Sequence, residues 1–312
     1  MQVDRRGAAA GLSAYVMWGF LTAYWHELHG LSPVGLVGER IVWASVLLAI
    51  IVTAQRHWQP LRAAVSSAAV LKRVVTASLL LTVNWSTYVW AVTHDHVVET
   101  ALGYFISPLV TVALGVLVFH EHLRRNQAIA LAFATGAVAL LTIEAGKFPI
   151  VAILLSFSWG FYGLIKRTVA LLPIESLTAE TLVLLPIALV VTAFVESGKD
   201  SIIDHASGLQ LALVVGTGAV TAIPLLIFAF AAPRVPFTVL GPMQYAAPFV
   251  NFVLGAYFYK EQMSGLRYAG FGLVWIAILI FVADSFRASR ATQAERRHAE
   301  STIPSAEVLL EG

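Results

Sequence analysis

The chain has no cysteine among its 312 residues, so disulfides, thiolate metal ligands and thiol nucleophiles are excluded. Charge is scarce as well. Asp, Glu, Lys and Arg make up only 12% of the residues, against about 25% in an ordinary soluble domain. No GxxxxGK[ST] phosphate loop occurs, which argues against ATP drive by this chain. No GxSxG nucleophile turn occurs either, and His26-Glu27-Leu28-His29 has one residue too few between its histidines for a metalloprotease helix. His94-Asp95-His96 is too weak a pattern to carry a zinc site. No enzyme, metal, cofactor or nucleic-acid partner is expected.

What fills the chain instead is apolar residues, 58% of the total with a mean hydropathy of +0.79. A hydrocarbon core of ~30 Å takes ~20 apolar residues of helix. The sequence predicts an all-α integral membrane protein with ten such spans, at 8–28, 34–54, 74–92, 100–119, 126–143, 150–166, 175–195, 208–230, 238–258 and 266–285. The first resembles a signal peptide, but Ala8-Ala9-Ala10 precedes the apolar stretch rather than following it, so an uncleaved helix is expected.

Lysine and arginine bias sets orientation. With the N-terminus inside, fifteen of the 20 basic residues, Lys166 and Arg167 among them, fall on the cytoplasmic side. Lys147, Lys199, Lys260 and Arg267 fall outside, and Arg40 lies within a span. Both termini are therefore expected in the cytoplasm, with residues 1–7 as a short leader and 286–312 as a disordered polar tail.

The two halves of the chain match each other. Trp18-Gly19-Phe20 recurs as Trp159-Gly160-Phe161, and Leu36 with Glu39 recurs as Leu177 with Glu180, both at an offset of 141. Pro108, Val110, Leu114, Gly115 and Glu121 recur as Pro248, Val250, Leu254, Gly255 and Glu261 at an offset of 140. The repeats are placed at 8–143 and 150–285. Each holds five spans, an odd number, so the second inserts upside down relative to the first. Inverted repeats of this kind underlie many secondary transporters.

Several stretches carry a family resemblance: Asn84-Trp85, Trp90-Ala91-Val92, Leu102-Gly103-Tyr104-Phe105, Ser107-Pro108-Leu109, and Glu121 with Arg124-Arg125. Phe161-Tyr162-Gly163-Leu164, Pro224-Leu225-Leu226 and Gln244-Tyr245 add to it in the second half. Together they resemble RarD-type permeases of the EamA branch of the drug/metabolite transporter superfamily, over about residues 8–285. The resemblance implies ten helices in two inverted repeats, a central solute pathway and a plasma-membrane location. It supplies no substrate.

Candidate pathway residues follow from the cost of polar groups in lipid. An ionised side chain at mid-bilayer costs ~2.5–3.5 kcal/mol on insertion scales, so Glu39 and Arg40 should face protein or water. Neighbours on a helix point about 100° apart and cannot pair, so Arg40 should meet a carboxylate elsewhere, with Glu180 or Glu39 the candidates, or a solute anion. Tyr104, Ser107, Pro108, Thr111 and Gly115 share one helix face, as do Gln244, Ala247, Pro248, Asn251 and Gly255. Tyr15, Trp18 and Thr22 on the first span, Asn84, Trp85 and Tyr88 on the third, and Trp159 and Tyr245 in the second half complete an aromatic pathway with few polar handles. Trp25 and Trp58 read as interfacial anchors. Pro108, Pro248, Glu121 and Glu261 are expected at helix breaks or gating contacts. The expected function is alternating-access export of a small organic metabolite or drug-like solute. Protons are the coupling candidate and a homodimer is admitted; a passive channel or sensor is the alternative.

Overall fold

The chain begins with a helix because Asp4 caps it, its side chain accepting a hydrogen bond from Arg6 N–H. A computed structural model of the protein describes residues 4–94, 96–146, 148–258 and 264–302. Among these there is no strand. The helices are α1 (Arg5–Glu27), α2 (Pro33–Ala54), α3 (Trp58–Val65), α4 (Ala68–Thr93), α5 (Val97–Phe119), α6 (Arg125–Ala145) and α7 (Ile150–Thr168). They continue as α8 (Pro173–Glu196), α9 (Ile202–His205), α10 (Gly208–Ala231), α11 (Phe237–Met243) and α12 (Ala246–Val253). A π-helical turn (Leu254–Phe258) and α13 (Gly265–Thr302) complete them. Pro33 and Pro173 open α2 and α8, where the missing N–H is harmless.

Among the described residues seven helices are long and apolar enough to cross a membrane: α2, α4, α5, α6, α7, α8 and α10. The apolar part of α13, Tyr268–Asp284, is shorter. Three departures from the sequence reading have local causes. The stretch 238–258 is not one helix but α11, α12 and the π turn. Pro248 has no N–H for the Gln244 carbonyl, which instead takes the Ala247 N–H at 3.1 Å. Helix α3, unforeseen in the sequence, follows a reversal at Arg56, whose φ is +58°. The tail expected to be disordered is helical as far as Thr302, because residues 286–302 are rich in Ala, Arg, Glu and Gln, all good helix formers.

Packing interleaves the two halves of the sequence. Helix α2 lies against α8 and α10, α5 against α7 and α11, and α4 against α7 and α8, while α1 lies against α10 and α12. Helix α6 packs on α13. Glycine sets the closest crossing. A Cβ at Gly218 of α10 would stand 2.6 Å from the Trp43 carbonyl oxygen of α2, so only glycine fits. At the centre the repeat-equivalent Trp18 and Trp159 meet edge to face, 5.0 Å between ring centroids. Phe228 packs 5.0 Å from Trp159 and 5.9 Å from Trp18.

Candidate functional site

A cavity opens beside this aromatic centre. Helix α1 contributes Tyr15, Trp18, Thr22 and Trp25; α2 contributes Arg40; α4 contributes Asn84, Trp85 and Tyr88. Helix α5 adds Thr100, Tyr104 and Ser107, and α7 adds Leu155 and Trp159. Leu225 of α10, with Gln244, Ala247 and Asn251 of the broken segment, closes the ring. Most of these lie in the helix halves nearest Glu27, Pro33, Thr93, Val97 and Ile150, so the cavity belongs to that end of the bundle.

The polar groups of the wall are largely occupied. Asn84 Nδ2 donates to the Leu155 carbonyl at 2.9 Å and to Ser158 Oγ at 3.0 Å. Gln244 Nε2, in the turn between α11 and α12, donates to Thr111 Oγ1 at 2.6 Å. Thr22 Oγ1 donates to Asn251 Oδ1 at 2.7 Å, joining α1 to α12. Arg40 differs. Its guanidinium carbon lies 4.3 Å from the Trp85 ring centroid and 5.4 Å from that of Trp25, a cation–π arrangement. Its Nε is buried with no hydrogen-bond partner. Among the described residues no carboxylate lies within ion-pair distance of Arg40.

The expected carboxylate partners of Arg40 are thus corrected. Glu39 turns to its own helix, Oε2 accepting from Trp43 Nε1 at 2.8 Å, and lies outside the cavity wall. Glu180 is held by a residue the sequence reading had left in a cytoplasmic loop. Lys166 is in α7, and its Nζ stands 2.6 Å from Glu180 Oε1, both side chains 1% exposed. Ser176 Oγ bonds both charges at 2.8 Å, and the Tyr162 hydroxyl donates to Glu180 Oε2 at 3.1 Å. Trp25, expected at the membrane interface, instead lines the cavity beside Arg40.

Toward the other end of the bundle Tyr162 and Phe237 are buried, and Glu121 ties the end of α5 to α7 and α11. Glu121 follows His120, whose left-handed φ of +52° ends α5. Its Oε1 accepts from Arg167 Nη1 at 2.5 Å and from Phe237 N–H at 3.0 Å, while Oε2 accepts from Thr238 N–H at 2.7 Å. Arg167 also lies over the Phe119 ring at 3.9 Å. Burial pushes the Glu121 carboxyl upward, but the bonds from Thr238, Arg167 and Phe237 outweigh it and hold the group below its ordinary value.

Ten of the fourteen expected pathway residues therefore share one cavity wall: Tyr15, Trp18, Arg40, Asn84, Trp85, Tyr88, Tyr104, Trp159, Gln244 and Asn251. Thr111 stands behind Gln244, and the Tyr245 hydroxyl donates to the Phe105 carbonyl at 3.2 Å, beside the gap Pro108 leaves in α5. Pro108 and Tyr245 line a smaller groove against α6 and α13, and Pro248 is buried in α12. Glu261 and Asp95 lie outside the described residues. Lys166 and Arg167 were missed because they end an apolar run next to a loop. Only the need of Glu180 for a counter-charge pointed to the first.

The EamA-like transporter family model matches the chain twice, over residues 5–143 and 147–283. The chain is 40% identical to protein RarD of Streptomyces exfoliatus, covering 96% of this chain and 95% of that one. It is 35% identical to the uncharacterized transporter YojE of Bacillus subtilis, covering 93% and 97%, and 32% identical to protein RarD of Escherichia coli, covering 92% and 97%. A protein crystal structure with 18% sequence identity superposes with a TM-score of 0.69, covering 90% of this chain and 98% of that one, which speaks to the fold alone.

Proposed function

This chain belongs to the RarD-type branch of the EamA-like transporter family, membrane transporters rather than enzymes, and from that premise we propose that its aromatic cavity is the pathway of a secondary transporter. The solute is a small organic metabolite or drug-like compound. The observation that supports the reading is a cavity confined to one end of the bundle, while Glu121 binds Arg167 and the N–H groups of Phe237 and Thr238 toward the other. We read those bonds as the closed gate of the far side.

The protein works by alternating access between two inverted five-helix repeats, 8–143 and 150–285, with ten spans in all. Pairing of neighbours supports this. Helix α5 against α7 has its counterpart in α12 against α1, and α4 against α8 in α10 against α2. The same pairing recurs at single atoms. A Cβ on Gly19 would meet Val250 Cβ at 2.6 Å, and one on Gly160 would meet Val110 Cγ1 at 2.7 Å. Opening the far end means releasing Glu121 and closing the near end around Trp25, Tyr88 and Tyr104. The basic bias of the loops supports cytoplasmic termini in a plasma membrane, which makes the Glu121 lock the cytoplasmic gate. Export driven by protons is the direction and coupling we assign.

Purified protein in proteoliposomes, screened against a solute library with and without an imposed pH gradient, tests the reading. Gradient-dependent accumulation of at least one solute, lost in a cavity-filling Thr22→Trp variant, is expected. Flux of a solute with no dependence on the gradient or the variant would overturn it.

A further inference from the structure

We propose that the cavity selects a monoanionic solute with an apolar, aromatic body, its carboxylate held by Arg40; this rests on the cavity being the solute site. Arg40 is the only charged residue in the cavity wall among the described residues. Guanidinium remains protonated at any physiological pH, so the cavity wall carries one positive charge. The two carboxylates expected to neutralise it are engaged elsewhere: Glu39 with Trp43 and Glu180 with Lys166.

The ring contacts leave its binding capacity intact. Trp85 and Trp25 meet the guanidinium carbon at 4.3 and 5.4 Å. A ring face attracts the cation but consumes none of the N–H donors that point along the guanidinium edge. Nε, one of those donors, is buried and unpartnered, a condition that costs free energy until an acceptor arrives. A planar carboxylate fits that fork in a bidentate way. Trp18, Trp159 and Leu225 offer apolar wall for the rest of the solute.

Discrimination follows from what the wall lacks. Among the described residues no Asp or Glu side chain lines the wall, so an amine entering the cavity meets Arg40 and no counter-charge. A cation is opposed outright. A zwitterion places its carboxylate well but strands its ammonium in a low-dielectric site. The order of affinity is anion, then zwitterion, then cation.

Three probes of one skeleton separate these cases: 3-phenylpropionate, phenylalanine and phenethylamine, titrated calorimetrically into the full-length protein in nanodiscs. Tightest binding by 3-phenylpropionate is expected, with phenylalanine at least tenfold weaker and phenethylamine weaker still. Arg40→Gln should reduce 3-phenylpropionate binding by more than tenfold and abolish the preference among the three. Arg40→Lys should recover only part of it, since a point charge lacks the planar fork. Equal or tighter binding of phenethylamine or phenylalanine overturns the proposal even if the Arg40 variants do not fold, and so does binding of none of the three. Thr22→Trp distinguishes the two layers. If it blocks whichever probe binds best, the cavity stands and only the anion preference is at stake. If 3-phenylpropionate still binds to it unchanged, the cavity reading itself fails.

Discussion

Removing the Lys166 charge should destabilise the protein more than almost any other single change outside its core. The pair is 1% exposed on both sides, 2.6 Å apart, and supported by Ser176 and Tyr162. Lys166→Met leaves Glu180 buried without a counter-ion. Breaking a buried pair from one side costs about 3–5 kcal/mol, which is roughly two to three and a half powers of ten in the folding equilibrium. Exchanging both charges, as Lys166→Met with Glu180→Leu, removes the unpaired charge but orphans the hydroxyls of Ser176 and Tyr162. Each unsatisfied buried group costs about 1–3 kcal/mol, but both are hydroxyls, and that of Ser176 can turn toward a backbone carbonyl one turn back. The double variant should therefore be no less stable than Lys166→Met and should fall short of the parent. Tyr162→Phe alone deletes one hydrogen bond to a charged acceptor, worth about 1.5–3 kcal/mol. Equilibrium unfolding in mild detergent, followed by tryptophan fluorescence, measures all four proteins on one scale. A Lys166→Met protein as stable as the parent would refute the reasoning, and so would a double variant less stable than Lys166→Met.

At the Glu121 end, Glu121→Gln should leave Arg167 without its counter-charge and raise the reactivity of a cysteine introduced at Thr22 in the cavity toward reagents from the cytoplasmic side. The Glu121 carboxyl is held below its ordinary value of 4.5, so its stabilisation is complete above that pH and is lost as pH falls through the lowered folded value. Melting temperature of parent and Glu121→Gln should accordingly diverge at neutral pH and converge in acid. Gly218→Ala should weaken packing of α10 on α2 by about 1–3 kcal/mol through a clash with backbone that cannot move aside, read out by unfolding in detergent. Because the chain has no cysteine of its own, single cysteines at Arg62 and Arg125 should react with impermeant thiol reagents only from inside. Those at His96 and Lys199 should react only from outside, and one exchanged side would break the assigned topology.

Much of the site was legible because membrane burial makes polar residues conspicuous. Arg40, Asn84, Gln244 and Asn251 stood out in apolar runs, and the bundle does bring them to one cavity. Helical spacing placed Tyr104 with Ser107 and Gln244 with Asn251 on the right faces. Pairing between helices was not legible. Nothing local distinguishes Lys166 at the end of an apolar run from a loop lysine, so its partnership with Glu180 became visible only once α7 met α8. Glu39 and Glu180 occupy equivalent repeat positions, yet one bonds a tryptophan of its own helix and the other a lysine. At the offset of 141 from Lys166 the first half has Trp25, which brings no charge to pair with Glu39. Pro108 and Pro248 are both expected at helix breaks from the sequence; Pro248 lies just after the interruption of 238–258, but Pro108 sits inside a continuous α5. A proline alone therefore does not decide between a break and a helix.

The central claim is that one cavity serves both faces of the membrane in turn, and a single cysteine in its wall tests it most directly. Thr22 is exposed within the cavity, and Thr22→Cys in right-side-out and inside-out proteoliposomes can be labelled with an impermeant thiol reagent. Alternating access predicts reaction from both faces, with the cytoplasmic rate rising when Glu121→Gln is added and the outer rate falling. Labelling from the outer face alone, unchanged by release of the Glu121 lock, would contradict it.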